Sequence, residues 1–267
     1  MPTSERIVTI PSGDLRLHGI LRGPSPAACA VVICDPFAEE KKCAHRPLTD
    51  VARALADAGF AVLRFDYRGC GDSEGEFGDC SPAGWIADTL AAVEFARREC
   101  GAQRLCLAGL RMGAWLANEA ARQTGTADAL ILWEPITDGK RYVAQNLRRS
   151  LIKAMLTEGE GFKAEAVAER QQAEVVDFDG YAVSAPMREQ LEAIRMGGAP
   201  AFAGPTLALR IGPRDEPDES TNQLAATYPQ GKAVGIRLEP FWNRIGLIDV
   251  SALSAATLAW LHTLPEL

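Results

Sequence analysis

The chain has 267 residues, with 28 Lys or Arg against 35 Asp or Glu and a formal charge of −7, and its pI is near 5.2. That balance argues against a nucleic-acid binder, which needs a basic face to neutralise phosphates. Apolar residues make up 47% and charged residues 24%, close to the average for globular domains and far from the disordered class.

No stretch reaches the roughly 18 to 20 continuous apolar residues of a membrane helix, and the opening Met-Pro-Thr-Ser-Glu-Arg lacks a leader pattern, so no membrane span and a cytoplasmic placement are expected. The seven cysteines all fall between Cys29 and Cys106 with no C-x-x-C pair. They read as reduced, mostly buried thiols, neither a disulfide frame nor a zinc site.

Alternation over Arg6 to Ile10 and Leu15 to Leu21 predicts an antiparallel edge hairpin feeding the continuous apolar run Ala28 to Cys34. From Leu48 the spacing becomes three and four (Leu48, Val51, Ala52, Leu55), predicting a helix closed by Ala58-Gly59 before the strand Ala61 to Phe65. Asp79 to Ser81 can cap a helix through Arg98 that leads to the strand Arg104 to Leu110. A helix near Met112 to Gln123 leads to Ala129 to Trp133. Three strand-helix-strand units in series predict an α/β fold with a mainly parallel sheet and helices on both faces.

After Glu134-Pro135 the rhythm breaks. Helix formers recur over Leu147 to Leu156, Lys163 to Ala173 and Met187 to Met196, with a turn at Gly180-Tyr181, and strands return at Thr206 to Ile211 and Ala233 to Leu238 before a last helix from about Val250 to His262. The organisation expected is a core of residues 1–136 and 205–267 with 137–204 inserted as a lid or cap over the carboxyl edge of the sheet. Surface helices without a binding role are the alternative.

The strand Arg104 to Leu110 runs through Gly109-Leu110-Arg111-Met112-Gly113 straight into a helix. That is the setting of the G-x-S-x-G elbow, whose small flanking residues let the chain turn sharply and raise the central side chain above the sheet. Here that side chain is arginine. Upstream, Phe65-Asp66-Tyr67-Arg68-Gly69-Cys70-Gly71-Asp72-Ser73-Glu74-Gly75 resembles the D-x-R-G-x-G-x-S loop of α/β-hydrolase-fold proteins of the serine aminopeptidase and lysophospholipase-like group. Within it, Asp35-Pro36-Phe37-Ala38-Glu39-Glu40-Lys41-Lys42, Gly109-Leu110-Arg111-Met112-Gly113-Ala114 and Gly180-Tyr181-Ala182-Val183-Ser184 resemble the exosortase A system-associated hydrolases.

The resemblance implies a nucleophile at Arg111, an acid at Asp215 after the strand Thr206 to Ile211, and a histidine near Glu239-Pro240-Phe241-Trp242-Asn243-Arg244. Arginine has no usable lone pair, and that last segment contains no histidine. The hydrolase fold is therefore expected without a working Ser-His-Asp shuttle. His45 is expected in a loop after Glu40, as a solvated residue, and Cys70 as a small hydrophobe with no base partner.

If the elbow persists, the Arg111 guanidinium and the following helix N-terminus converge on an anion site. Its occupant is either a carboxylate or phosphate ligand or an internal acid, for which Glu39, Glu40, Glu134 and Asp215 are candidates. Phe37, Ala38, Met112 and Trp242 are expected as lining, Glu39 and Glu40 as a solvated acidic loop, and Glu134 as a pocket wall or a cap near Thr137. No metal or cofactor is expected: no His-rich or Cys-rich spacing appears, and Gly69 to Gly75 lacks the dinucleotide fingerprint. The functional readings are a binding or scaffold protein for a small anionic or acyl molecule, or an enzyme using Arg111 with a carboxylate such as Asp215 or Glu39. A protein partner and a homodimer are left open.

Overall fold

The computed structural model describes residues 4–125, 127–158, 173–197 and 202–264. Among the described residues there are ten strands: β1 (Glu5–Ser12), β2 (Leu15–Arg22), β3 (Cys29–Cys34), β4 (Ala61–Phe65), β5 (Arg104–Leu110), β6 (Ala129–Trp133), β7 (Val175–Phe178), β8 (Tyr181–Ser184), β9 (Pro205–Gly212) and β10 (Gln230–Arg237). Eight of them form one sheet in the order β1-β2-β4-β3-β5-β6-β9-β10, and β7 and β8 form a separate hairpin. β1 pairs antiparallel with β2 and β2 antiparallel with β4, while every later neighbour is parallel.

The central strands are buried on both sides, so alternate residues feed two cores. Val31, Ile33, Cys106, Ala108 and Ile131 pack under α1 (Glu39–Asp57) and α7 (Ser251–Leu261). Ala30, Val32, Leu105, Leu107 and Leu130 pack under α2 (Pro82–Cys100) and α3 (Met112–Thr124). Local chemistry sets the ends. Ser81 accepts a hydrogen bond from the Gly84 amide and Pro82 opens α2, while Gly101 and Gly125 close α2 and α3 in left-handed conformations.

Several expectations need correction. The first helix begins at Glu39, nine residues before Leu48, so Glu39-Glu40 form its first turn and His45 lies on an exposed helical face. Pro47 and the Lys41-Lys42 pair hide that start; Pro47 is buried inside the helix. The turn at Gly180-Tyr181 is a complete hairpin. The helix over Leu147 to Leu156 is longer, α4 (Gly139–Glu158), and that over Met187 to Met196 is shorter, α5 (Ala185–Glu192). A further helix, α6 (Glu219–Ala226), is capped by Asp218, whose carboxylate accepts from the Thr221 amide. The helix expected over Lys163 to Ala173 lies almost wholly outside the described residues. No helix among the described residues is long and apolar enough to cross a membrane.

Candidate functional site

Arg111 sits between β5 and α3 with φ 57° and ψ −117°, in the region where a Cβ crowds the backbone and only a rigid surrounding holds a non-glycine residue. Its amide donates to the Trp133 carbonyl at 3.0 Å, and its own carbonyl accepts from the Ala114 amide at 3.1 Å and the Ile136 amide at 3.4 Å. Both flanking glycines are required. A Cβ on Gly109 would strike the Gly113 carbonyl, and one on Gly113 would strike the carbonyl oxygens of Cys34 and Asp35.

This turn aims the guanidinium at α1 and α4. Nε and Nη2 both donate to Oε1 of Glu40, at 3.4 and 3.3 Å. The Tyr142 hydroxyl, from α4, donates to the other Glu40 oxygen at 3.2 Å. The Trp242 and Tyr142 rings lie 5.1 and 5.7 Å from the guanidinium carbon, within cation–π range. Among the four acids considered, the structure thus pairs Arg111 with Glu40, and Trp242 packs beside it. Glu40 is only 3% exposed. Burial pushes its pKa up and outweighs the opposing pull of Arg111, Arg149 and the Tyr142 hydroxyl.

Arg111 also faces a cavity of about 340 Å³ that is lined by Glu134, Arg141, Tyr142, Arg210 and Asp218 among others. The Nη1 of Arg210 donates to both Glu134 oxygens at 2.7 Å and its Nε to Asp218 at 2.8 Å. Glu134 is therefore a wall of this cavity, and its carboxylate accepts from Arg210 and from the Ile211 amide at 2.8 Å. The Arg141 guanidinium has no carboxylate partner among the described residues. A second cavity of about 340 Å³ is lined by Glu39, Cys43, Arg149, Lys153 and Arg244.

The other anticipated residues are dispersed. Asp215 is exposed, accepting the Arg237 amide at 2.7 Å with the Arg237 guanidinium 3.6 Å away, and it does not meet Arg111. Phe37 is buried against Trp85, Phe77 and Phe178. Phe37, Ala38 and Met112 line an apolar pocket of about 10 Å³, room for about one water molecule. Burial pushes the Cys70 thiol up to about 12, so it is no ready nucleophile.

The glycine loop is structural. Arg68 holds the Asp88 carboxylate at 2.7 to 3.0 Å, and the Ser73 hydroxyl donates to the Asp66 carbonyl at 2.6 Å. His18, Asp66 and Asp72 bring ligand-type atoms within 4.8 Å of one another, but Asp66 already holds the Lys41 ammonium and the Asp72 amide. Sequence reading missed Arg141, Tyr142, Arg210 and Asp218. The available signal was Arg210, a lone charge inside the otherwise apolar run Thr206 to Ile211.

The sheet order, the crossover helices and the strained turn after β5 define an α/β-hydrolase-fold protein. The chain belongs to the serine aminopeptidase (S33) family, whose sequence pattern matches residues 26–176. It is 34% identical over 101 residues to a protein of the traX-finO intergenic region of Escherichia coli, covering 37% of this chain and 35% of that one. To human protein ABHD12B it is 33% identical over 112 residues, covering 40% and 30%. The chain thus matches about a third of the length of these relatives. In three dimensions it resembles Est1E from Butyrivibrio proteoclasticus, solved with ferulic acid bound, with a TM-score of 0.69 at 20% identity over 96% of this chain and 98% of that one.

Proposed function

We propose that this protein binds a small anionic or acyl molecule in the cavity beside the elbow, on a hydrolase fold whose serine triad is lost. The observation that carries the reading is Arg111 itself. A strained turn that serves hydrolases by presenting a nucleophile here presents a guanidinium to a polar cavity that Arg141 and Arg210 also line. Guanidinium groups match carboxylates and phosphates in two-point fashion and do not attack carbonyls. Neither of the other triad functions gathers at Arg111: Asp215 pairs with Arg237, and the segment Glu239 to Arg244, where the resemblance implies a histidine, has none.

The segment 137–204 acts as the lid in this reading, because Tyr142 of α4 reaches the Arg111–Glu40 pair. The resemblance to exosortase-associated hydrolases supports a ligand from exopolysaccharide metabolism, and the reading takes the protein as cytoplasmic. A thermal-shift screen with carboxylates, phosphates, acyl-thioesters and acidic sugars tests this. A ligand at about 100 times its Kd adds about 2.7 kcal/mol to stability, so the midpoint should rise clearly in the wild type and not in Arg111→Ala. A panel without any shift overturns the reading and turns the search to protein partners.

A further inference from the structure

We infer that the anion site at Arg111 is proton-coupled, so that an anion arriving from the cavity binds together with one proton taken up by Glu40. This deepens the proposed function and rests on it. The geometry is that of a site already half occupied by the protein's own carboxylate. Both bonds from Arg111 to Glu40 go to a single oxygen, at 3.3 and 3.4 Å, longer than the 2.7 to 2.9 Å of a tight charged pair. They use Nε and Nη2, while the same guanidinium lines the cavity.

A ligand anion on that guanidinium competes with Glu40 for it, and one of the two negative charges must give way. The ligand is open to solvent through the cavity; Glu40 is buried, and its charge is the costlier one to keep. The groups facing Glu40 are few. Glu39 and Cys43 share its helix, Arg111 comes from the elbow, and Tyr142 and Arg149 come from α4. Arg149 is itself engaged at 2.9 Å by Asp179, between β7 and β8, and Tyr142 is held neutral because burial and the neighbouring Glu40 raise its pKa well above the phenol range. Arg141 and Arg210 also line the cavity, but the cations acting on Glu40 are Arg111 and Arg149, so what a ligand draws from Arg111 is restored to Glu40 by a proton. Protonated Glu40 keeps its place: its neutral carboxyl still accepts from the Tyr142 hydroxyl.

The test is isothermal titration with sulfate and with benzoate, neither of which changes charge between pH 6 and 8, in buffers of differing ionisation enthalpy. Wild type should take up close to one proton per anion, and its affinity should fall by up to about tenfold per pH unit as pH rises. Glu40→Gln, which mimics the protonated form, should bind the same anions with no proton uptake and no pH dependence. Binding to wild type without proton uptake overturns the coupling and leaves the anion site standing. Uptake that persists in Glu40→Gln overturns the assignment to Glu40. Failure of both anions to bind either protein removes the site and the coupling together.

Discussion

Two opposing contributions meet at Arg111. A positive φ on a side chain with a Cβ costs about 1 to 3 kcal/mol, and glycine would relieve it. The guanidinium also neutralises Glu40, which is buried, and removing one member of a buried pair costs about 3 to 5 kcal/mol. The second contribution is the larger, so Arg111→Gly should lower stability by about 2 kcal/mol at pH 7. The loss should shrink toward pH 5, because without Arg111 the buried Glu40 becomes protonated and no longer needs a partner. Urea denaturation at the two pH values reads this directly. A stability gain at pH 7 would mean that the turn's strain outweighs the ion pair.

At the scale of elements, the elbow is a three-body packing problem among β3, β5 and α3. α3 starts so close to β3 that Gly113 lies against the Cys34 and Asp35 carbonyls. Gly113→Ala has nowhere to place its methyl group except against backbone, and overpacking of this kind costs about 1 to 3 kcal/mol or more. Its midpoint should fall by several degrees, with the fold's far-UV spectrum retained; an unchanged midpoint would show that α3 slides freely on the sheet.

Elements with a strong period were legible because burial on two faces or one stripe imposes it: β3, β4, β5, β6 and β9 lie within a residue or two of their apolar runs. The start of α1 was not, because Glu39, Glu40, Lys41 and Lys42 read as a polar loop. Two of those four charges are consumed inside the structure, Glu40 by Arg111 and Tyr142, and Lys41 by Asp35 and Asp66, while Glu39 lines the second cavity. The site was half legible for the same reason. Arg111 announces itself through its flanking glycines, but nothing in the local pattern says which distant acid will meet it, or that Tyr142, 31 positions further on, will complete the pair. Long-range partners are set by how α1 and α4 cross the sheet edge, which short-range periodicity does not record.

For the whole molecule, pH is the variable that exposes how its buried acids are held. Two buried acids at the sheet's carboxyl edge respond in opposite senses. Burial pushes Asp35 up, but Arg64 at 3.0 Å and Lys41 at 2.9 Å outweigh it and hold its pKa below the ordinary value. Its stabilising contribution is therefore present above about pH 4 and lost as pH falls through the lowered folded value. Glu40 is the reverse: its folded pKa is raised, so its favourable contribution is complete below about pH 4.3, where the unfolded carboxyl is protonated too, and is lost as pH rises through the folded value.

Glu40→Gln isolates this second effect, since glutamine stands in for the protonated acid at every pH and leaves Asp35 untouched. Melting midpoints of wild type and Glu40→Gln should nearly coincide at pH 4 and separate as pH rises to 8, with the variant the more stable of the two. Each 1 kcal/mol of that separation appears as about 2 to 4 °C for a chain of this size. A gap that stays constant across the range would show that Arg111 fully compensates the buried charge. Glu40 would then be a fixed structural counter-ion, with no proton affinity to spare for a ligand.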